Sequence, residues 1–440
     1  MRDVLIILIV AAGAFVAIKR PWIGVMLWTW LSIMNPHRFA WGIAVDAPLA
    51  AVAAIATLIG LLLTRDRESP FKGGAVVALV LFMVWVTLSW VMGLDPVGDY
   101  EQWNKVMKID LMILVALALL HTKQHIFAFA WVAIGSLGLL GVKGGVFTAL
   151  NGGGFRVFGP PGSFIEDNNA FALAVVMVIP LLRFLQLQLQ GFWSRHAITL
   201  AMLLCAASAV GSYSRGGLIA IASMALLLWW RSKAKFVGAF VLVGIAMGLV
   251  AFMPEAWMGR METITNYEQD TSAMGRIGAW WTAWGIAFDY PFGVGFDPVR
   301  QALFNLYSPF PAEARAAHSN YFQVLGNHGF VGLAIYVSIW IATWRSAGWL
   351  RANAAKIPEA EWGADLGAMC QVSLIGYLSG GMFLSLAYFD MPYNVMVLVL
   401  LTRVWVQTRG WEREPVHERG WRTIPGLGFV PVLARKANRR

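Results

Sequence analysis

Of the chain's 440 residues only 13% are Asp, Glu, Lys or Arg, 58% are hydrophobic, and there are 22 Trp and 26 Phe. Ordinary soluble domains carry about 25% charged residues, and no soluble globule could hide this much apolar surface, because roughly half of any fold faces water. A disulfide scaffold, a disordered chain, a nucleic-acid-binding domain and a transmembrane β-barrel are all poor fits, the last because its strands alternate where these apolar runs are continuous. The net charge of +10 reads as loop bias toward a cytoplasmic face rather than as a nucleic-acid footprint.

In chain order, apolar segments of spanning length occupy 4–18, 22–35, 47–64, 74–93, 106–121, 125–148, 168–190, 195–213, 215–230, 236–253, 318–344, 364–389 and 391–408. The pattern predicts an all-α polytopic integral membrane protein of about twelve transmembrane helices. The first run has the length of a signal peptide, but Asp3 spoils the basic start and Lys19-Arg20 follows it directly, so it reads as a helix of the mature chain. Segments 4–18 and 22–35 form either a tight hairpin or one span with an interfacial helix. Dividing the connections alternately between two sides puts 23 Lys and Arg on one side and 10 on the other, Arg2 aside. The richer side is then cytoplasmic. Cys205 and Cys370 both fall in apolar runs and read as free buried thiols, with no disulfide or metal knuckle.

The organisation that follows is a set of N-terminal transmembrane helices over 1–148, a core over 149–345, C-terminal transmembrane helices over 346–408 and a basic cytoplasmic tail over 409–440. Two extracytoplasmic connections stand out: 149–168, rich in Gly and Pro, and 254–317, the longest polar stretch. Loops of this length are functional or disordered, and the aromatic content of the second argues for order. In it Ile277, Trp280, Trp281, Trp284 and Phe288 follow helical spacing and predict an amphipathic helix at the outer membrane interface, packed on the bundle. Asp289-Tyr290-Pro291 ends that helix.

Walker, H-E-x-x-H, G-x-S-x-G and dinucleotide signatures are missing from the sequence, which leaves polar residues in costly positions. In Ser212-Tyr213-Ser214-Arg215-Gly216-Gly217, Ser214 is a candidate N-cap, and Gly216 and Gly217 let a ligand approach the backbone. A helix N-terminus beside a guanidinium suits phosphate. Arg215 alone reads equally well as an arginine snorkelling to the interface. Arg276 opens the amphipathic helix, where its charge meets the positive end of the dipole unless an anion is nearby; a surface arginine is the even alternative. His318 opens the next span, with Asn320 beside it, and an imidazole at a water-facing helix end can take a proton from a hydroxyl. A lone histidine is more often structural. Arg156, Glu166-Asp167 and Asn168-Asn169 form a polar turn, for which a simply capped helix start is the favoured reading. Lys105, Lys108 and Asp110 either line a polar cavity or pair with one another along their helix.

These residues resemble the O-antigen ligase/polymerase superfamily of bacterial envelope glycan transferases. Three blocks carry the resemblance: Tyr213-Ser214-Arg215-Gly216; Arg276 to Trp280 with Asp289-Tyr290-Pro291-Phe292-Gly293-Val294-Gly295; and His318-Ser319-Asn320 with Leu325, Gly326, His328-Gly329 and Gly332. Arg156 to Asn168 fits the upstream Arg-Gly…Asn segment, so the likeness covers at least 150–345. It implies a glycosyltransferase in the bacterial inner membrane with its active site facing the periplasm. The donor it implies is a glycan on undecaprenyl pyrophosphate, and the acceptor lipid A–core, as in an O-antigen ligase. Arg215 and Arg276, with Ser214 and Gly216, would hold the pyrophosphate, and His318 would act as general base. Arg156, Asn168, Tyr213, Asn320 and Lys105 are secondary candidates. The implied mechanism is inverting and needs no metal or other cofactor. Rival acceptors define an O-antigen or exopolysaccharide polymerase and a protein O-oligosaccharyltransferase. A transporter or flippase for a lipid-linked substrate is the rival from another class. Transporter sites lie near the bilayer midplane, so a cluster of these groups at one face argues against it.

Overall fold

A computed structural model of the protein describes residues 2–232, 235, 236, 244, 247, 253–255, 257, 259, 271–310 and 313–414. Nearly all of the expected span 236–253, the segment 260–270 and the tail from 415 onward lie outside the described residues. Among the described residues the chain is helical, with no strand.

The first two helices, α1 (Arg2–Lys19) and α2 (Pro21–Met34), are separate elements. Pro21 fixes the break, since a proline fits the first turn of a helix but not the interior of a longer one. A 3-10 turn at Pro36–Phe39 follows. Then come α3 (Leu49–Leu63), α4 (Gly74–Val91), α5 (Tyr100–Leu119), α6 (Lys123–Leu150), α7 (Asn168–Leu187), α8 (Phe192–Gly211) and α9 (Arg215–Arg231). From residue 271 onward come α10 (Thr271–Asp289), α11 (Gln301–Tyr307), α12 (Asn320–Asn353), α13 (Glu361–Gly380), α14 (Asp390–Gln407) and the short α15 (Gly410–Arg413). Five of the described helices are long and apolar enough to cross a membrane: α4, α6, α7, α8 and α12, the last with the turn that extends it to Lys356. Helices α2 and α3 are shorter and apolar. This is a polytopic helical membrane protein.

Helix α7 is apolar on every side from Ala170 to Leu182 and is the most enclosed of these spans, packed by α6, α8, α9 and α13. That position follows from its sequence, because a helix hydrophobic all round has no face to give to water. Helices α6 and α8 meet through small residues: a Cβ on Gly141 would meet Val175 Cγ1 at 2.9 Å and the Cys205 sulfur, and Gly144 and Gly145 lie against Ser208 and Leu204. Small residues are what allow such close approach in a membrane, where burying apolar surface supplies no drive of its own. Cys205 and Cys370 are free and buried.

The amphipathic helix appears as α10 and ends at Asp289, as Tyr290-Pro291 requires. It packs on the bundle as expected, but its closest approach is through small residues. Trp281, Trp284 and Phe288 are exposed, and the buried face is Gly278, Ala279, Thr282, Ala283, Ile286 and Ala287. That face sits on α12, where a Cβ on Gly326 would meet Ala283 Cβ at 3.2 Å. Small side chains let the two backbones approach, while Trp280 stacks on Phe322 and the exposed Trp284 and Phe288 flank Phe330 at the edge of the contact.

Helix α12 is broken inside. Gly329 has φ 68° and ψ −173°, a conformation open essentially only to glycine. Into the break runs the chain after α10, with Gly293 at φ 77° and Gly295 at φ 93°. Val294 N–H donates to Gly326 O at 3.4 Å, Gly295 N–H to Asn327 O at 3.1 Å and Leu94 N–H to Val294 O at 3.1 Å. The peptide groups freed by the break thus find partners in the inserted loop.

Candidate functional site

Several helices present their N-termini at one end of the bundle, and side chains tie those ends together. Asp167 caps α7 by accepting from Asn169 N–H at 2.7 Å and Ala170 N–H at 3.2 Å. Asn168, buried, donates its Nδ2 to Ser212 O at 2.6 Å and so fixes the start of α7 to the turn before α9. Ser214 is the N-cap of α9, its Oγ accepting from Gly217 N–H at 3.1 Å. Asn320, buried at the start of α12, donates its backbone N–H to Gly381 O at 2.7 Å and accepts at Oδ1 from Leu386 N–H at 2.5 Å.

Arg215 is the first residue of α9 and is half-buried. Tyr213, two residues before it, has φ 61° and donates its hydroxyl to Gly153 O at 2.7 Å. The guanidinium of Arg156 lies 5.8 Å over the Tyr213 ring. Gly216 and Gly217 are buried in helix contacts: a Cβ on Gly216 would meet Leu384 Cγ at 3.1 Å, and one on Gly217 would meet Ala172 Cβ at 3.0 Å. Their Cα faces serve close helix approach, a role that motif reading did not give them.

His318 lies before α12 rather than in it, half-buried and in the left-handed region at φ 44°. A non-glycine residue there is strained and needs neighbours that hold it. Trp280 of α10 does part of this, donating its Nε1–H to Ala317 O at 2.7 Å while its ring stacks on Phe322 at 5.0 Å. The charges that act on the imidazole come from Arg276, Asp167 and Arg315. Burial is the main cause that lowers its pKa from the ordinary histidine value; Arg276 and Arg315 lower it further, and Asp167 opposes them. The ring is therefore neutral at neutral pH and able to accept a proton.

Arg276 is half-buried, five residues beyond the first described residue of α10. The expectation that it opens the helix is corrected here. The macrodipole falls off within the first turn, so its location argument rests on His318 rather than on the helix end. Arg315, which motif reading passed over, lies against Gly275: a Cβ there would meet Arg315 Cδ at 3.0 Å. The available signal was a third guanidinium three residues before His318.

The structure thus brings Arg276, Arg315, Asp167 and His318 together. The residue after Arg215, Gly216, lies against Phe383, whose ring is 6.3 Å from that of Trp280. All three of Arg215, Arg276 and His318 sit at helix ends or outside the membrane-length helices, not halfway along one. Lys105 is elsewhere, 3.9 Å over the Phe164 ring.

The histidine that the sequence grouped with His318 has a different setting. His328 is buried, its Nδ1 2.8 Å from Ser89 Oγ and its Nε2 2.8 Å from the Tyr388 hydroxyl. Ser89 donates to Asn327 O at 2.9 Å, and Tyr388 accepts from Asn327 Nδ2 at 3.0 Å. Trp85 Nε1–H donates to His328 O at 2.8 Å. Every ring nitrogen is used, and the network clamps the break at Gly329.

Two family models match the chain. Residues 1–189 match a family of unknown function, DUF5935, and residues 200–337 match O-antigen ligase. The second region contains Arg215, Arg276 and His318. The resemblance to the O-antigen ligase/polymerase superfamily is borne out over these residues. No curated protein matches the chain.

Proposed function

We propose that this protein is an O-antigen ligase, a membrane glycosyltransferase that moves a glycan from undecaprenyl pyrophosphate to lipid A–core. It would sit in the bacterial inner membrane with about twelve spans and with the His318 end of the bundle facing the periplasm. The observation that carries this reading is the meeting of Arg276, Arg315 and a neutral, strained His318 within a segment matched to O-antigen ligase.

The chemistry needs two things. As the anomeric C–O bond breaks, negative charge builds on the departing pyrophosphate, and guanidinium groups that stay ionised at every relevant pH stabilise it. Arg215 and Arg276 take that role. The acceptor hydroxyl must also lose its proton as its oxygen attacks the anomeric carbon, and the neutral His318 imidazole accepts it. One carbon–oxygen bond forms, one breaks, the proton moves to His318 and the electron pair leaves with the carrier pyrophosphate. Attack from the face opposite the leaving group inverts the anomeric centre. The cation pair supplies the charge stabilisation that a metal ion supplies in other phosphate chemistries, so transfer is expected to survive EDTA.

The test is reconstitution of the full chain in lipid vesicles with carrier-linked glycan and either lipid A–core or a second carrier-linked glycan as acceptor. Product on lipid A–core supports the ligase. Product only on the carrier-linked acceptor makes it a polymerase. Movement of intact donor across the bilayer with no new glycosidic bond overturns the transferase reading.

A further inference from the structure

A second group of cations lies at the same end of the bundle, outside the segment matched to O-antigen ligase. Arg38 is in the 3-10 turn after α2, Lys105 is near the start of α5, and Lys143 is in α6 about 10 Å from that helix's end by the 1.5 Å rise. Helix α2 packs between α5 and α6, which brings the three elements together. Lys105 is within electrostatic reach of Arg38. Its ammonium lies 3.9 Å over the Phe164 ring, and that of Lys143 lies 4.2 Å over the Phe39 ring. Arg38 meets the loop at Gly162, where φ is 69° and a Cβ would come within 3.3 Å of the guanidinium carbon.

Their surroundings hold these cations without neutralising them. Among the described residues no carboxylate lies within 4.0 Å of Arg38, Lys105 or Lys143. The carboxylates that act on Lys105 are Asp390 and Glu101. Asp390 is buried at the start of α14, where it takes a hydrogen bond from Ser32. Glu101 is exposed on the same helix as Lys105. An aromatic face orients an ammonium but leaves its charge in place. Lys105 and Lys143 remain solvent-accessible, so an incoming anion can reach them.

The loop 151–167 joins this group to the first. Its Asp167 acts on His318, while its Gly162 and Phe164 meet Arg38 and Lys105. Five residues span at most about 18 Å, so Gly162 and Asp167, which neighbour the two cation groups, lie no farther apart than the length of a short oligosaccharide. The pyrophosphate, by the reading above, takes the arginines on the His318 side. What remains is the other substrate.

Resting on the transferase reading, we propose that Arg38 and Lys105, flanked by Lys143, form a second anion subsite that binds a phosphate or carboxylate carried by the acceptor glycolipid. The wild-type chain and the Arg38→Gln/Lys105→Gln variant are reconstituted in phosphatidylcholine vesicles with carrier-linked donor. The acceptors are lipid A–core with its phosphates and the same molecule dephosphorylated. Wild-type turnover with either acceptor upholds the transferase reading independently of this subsite. The subsite predicts that the variant raises the acceptor KM about tenfold for the phosphorylated form only, as loss of hydrogen bonds to a charged group implies. The donor KM and kcat stay within about twofold. A Lys105→Arg variant, which keeps the charge, retains wild-type acceptor KM and covers the case where the double variant fails to fold. Three results overturn the proposal: an equal KM rise for both acceptors, a rise in donor KM, or an effect that disappears when phosphatidylglycerol is added, which would assign the cations to bilayer lipid.

Discussion

The two ends of the bundle treat their charges differently. At the end remote from His318, Lys72 pairs with Glu68, His121 Nε2 lies 3.0 Å from Asp66, and Arg409 lies 3.4 Å from Glu412. Glu414 accepts from Lys123 N–H and from Trp405 Nε1–H, both at 2.6 Å, and Arg403 donates to Ser346 at 2.8 Å. At the His318 end, Arg300 has Asp297 and Asp95 at 3.6 and 3.8 Å, but Arg38, Lys105, Lys143 and Arg315 meet aromatic rings, glycines and one another's fields. Left-handed non-glycine residues occur at both ends: Asn35, Tyr213 and His318 at this one and Arg409 at the other. Cations held against rings, glycines and other cations, rather than in ion pairs, suit a site that takes an anion.

That contrast can be broken by substitution. The largest effect is expected from His318→Ala, which should lower kcat by about 10²- to 10⁴-fold while donor binding, followed by filter retention of labelled carrier-linked glycan, holds. Lost donor binding with unchanged turnover of bound donor would contradict the base role. The wild-type rate should also fall at acid pH with a midpoint below the ordinary histidine value, because burial and the arginines favour the neutral ring. Arg315→Gln removes one of the charges that lower the pKa, so its acid limb should move to higher pH. Arg276→Ala should reduce kcat/KM by about 10²- to 10³-fold with an unchanged melting profile; normal glycan attachment would remove Arg276 from the mechanism.

Stability changes should be smaller and elsewhere. Gly329→Ala puts a Cβ about 2.6 Å from Pro291 O in a conformation with φ 68°, and should cost about 1–3 kcal/mol in detergent unfolding. The control Gly135→Ala has nothing within 4 Å of the added Cβ in the middle of α6 and should be neutral or stabilising by up to about 1 kcal/mol. If both behave alike, the break in α12 is not the constrained element described above. Smallest of all, Lys72→Ala at the remote end removes an exposed ion pair and should cost under about 1 kcal/mol with transfer unchanged. A large loss of transfer there would erase the distinction between the ends.

Much of the site was legible because its signals are local. Ser214 as N-cap, a capped start at Asp167-Asn168 and the stop at Asp289-Tyr290-Pro291 each depend on a few adjacent residues, and each is found in the structure. What was not legible depends on where distant segments meet. Lys105, read as lining a polar cavity or pairing with Lys108 and Asp110 along its helix, faces Phe164 beside Arg38. Arg315 gained significance only when Gly275 let α10 come down beside it. The aromatic stripe of α10 had the right period for docking, but its rings flank the contact and small residues make the close backbone approach.

Composition and hydrophobic periodicity by themselves determined a helical membrane protein, because backbone polar groups in hydrocarbon must be satisfied within each segment. Those same apolar helices carry little information about which neighbours they choose, since lipid and protein are equally apolar to a leucine. The tertiary structure alone decided that the two histidines differ: His328 has a partner on both ring nitrogens, whereas burial first, and then the charges of Arg276 and Arg315, lowers the pKa of His318.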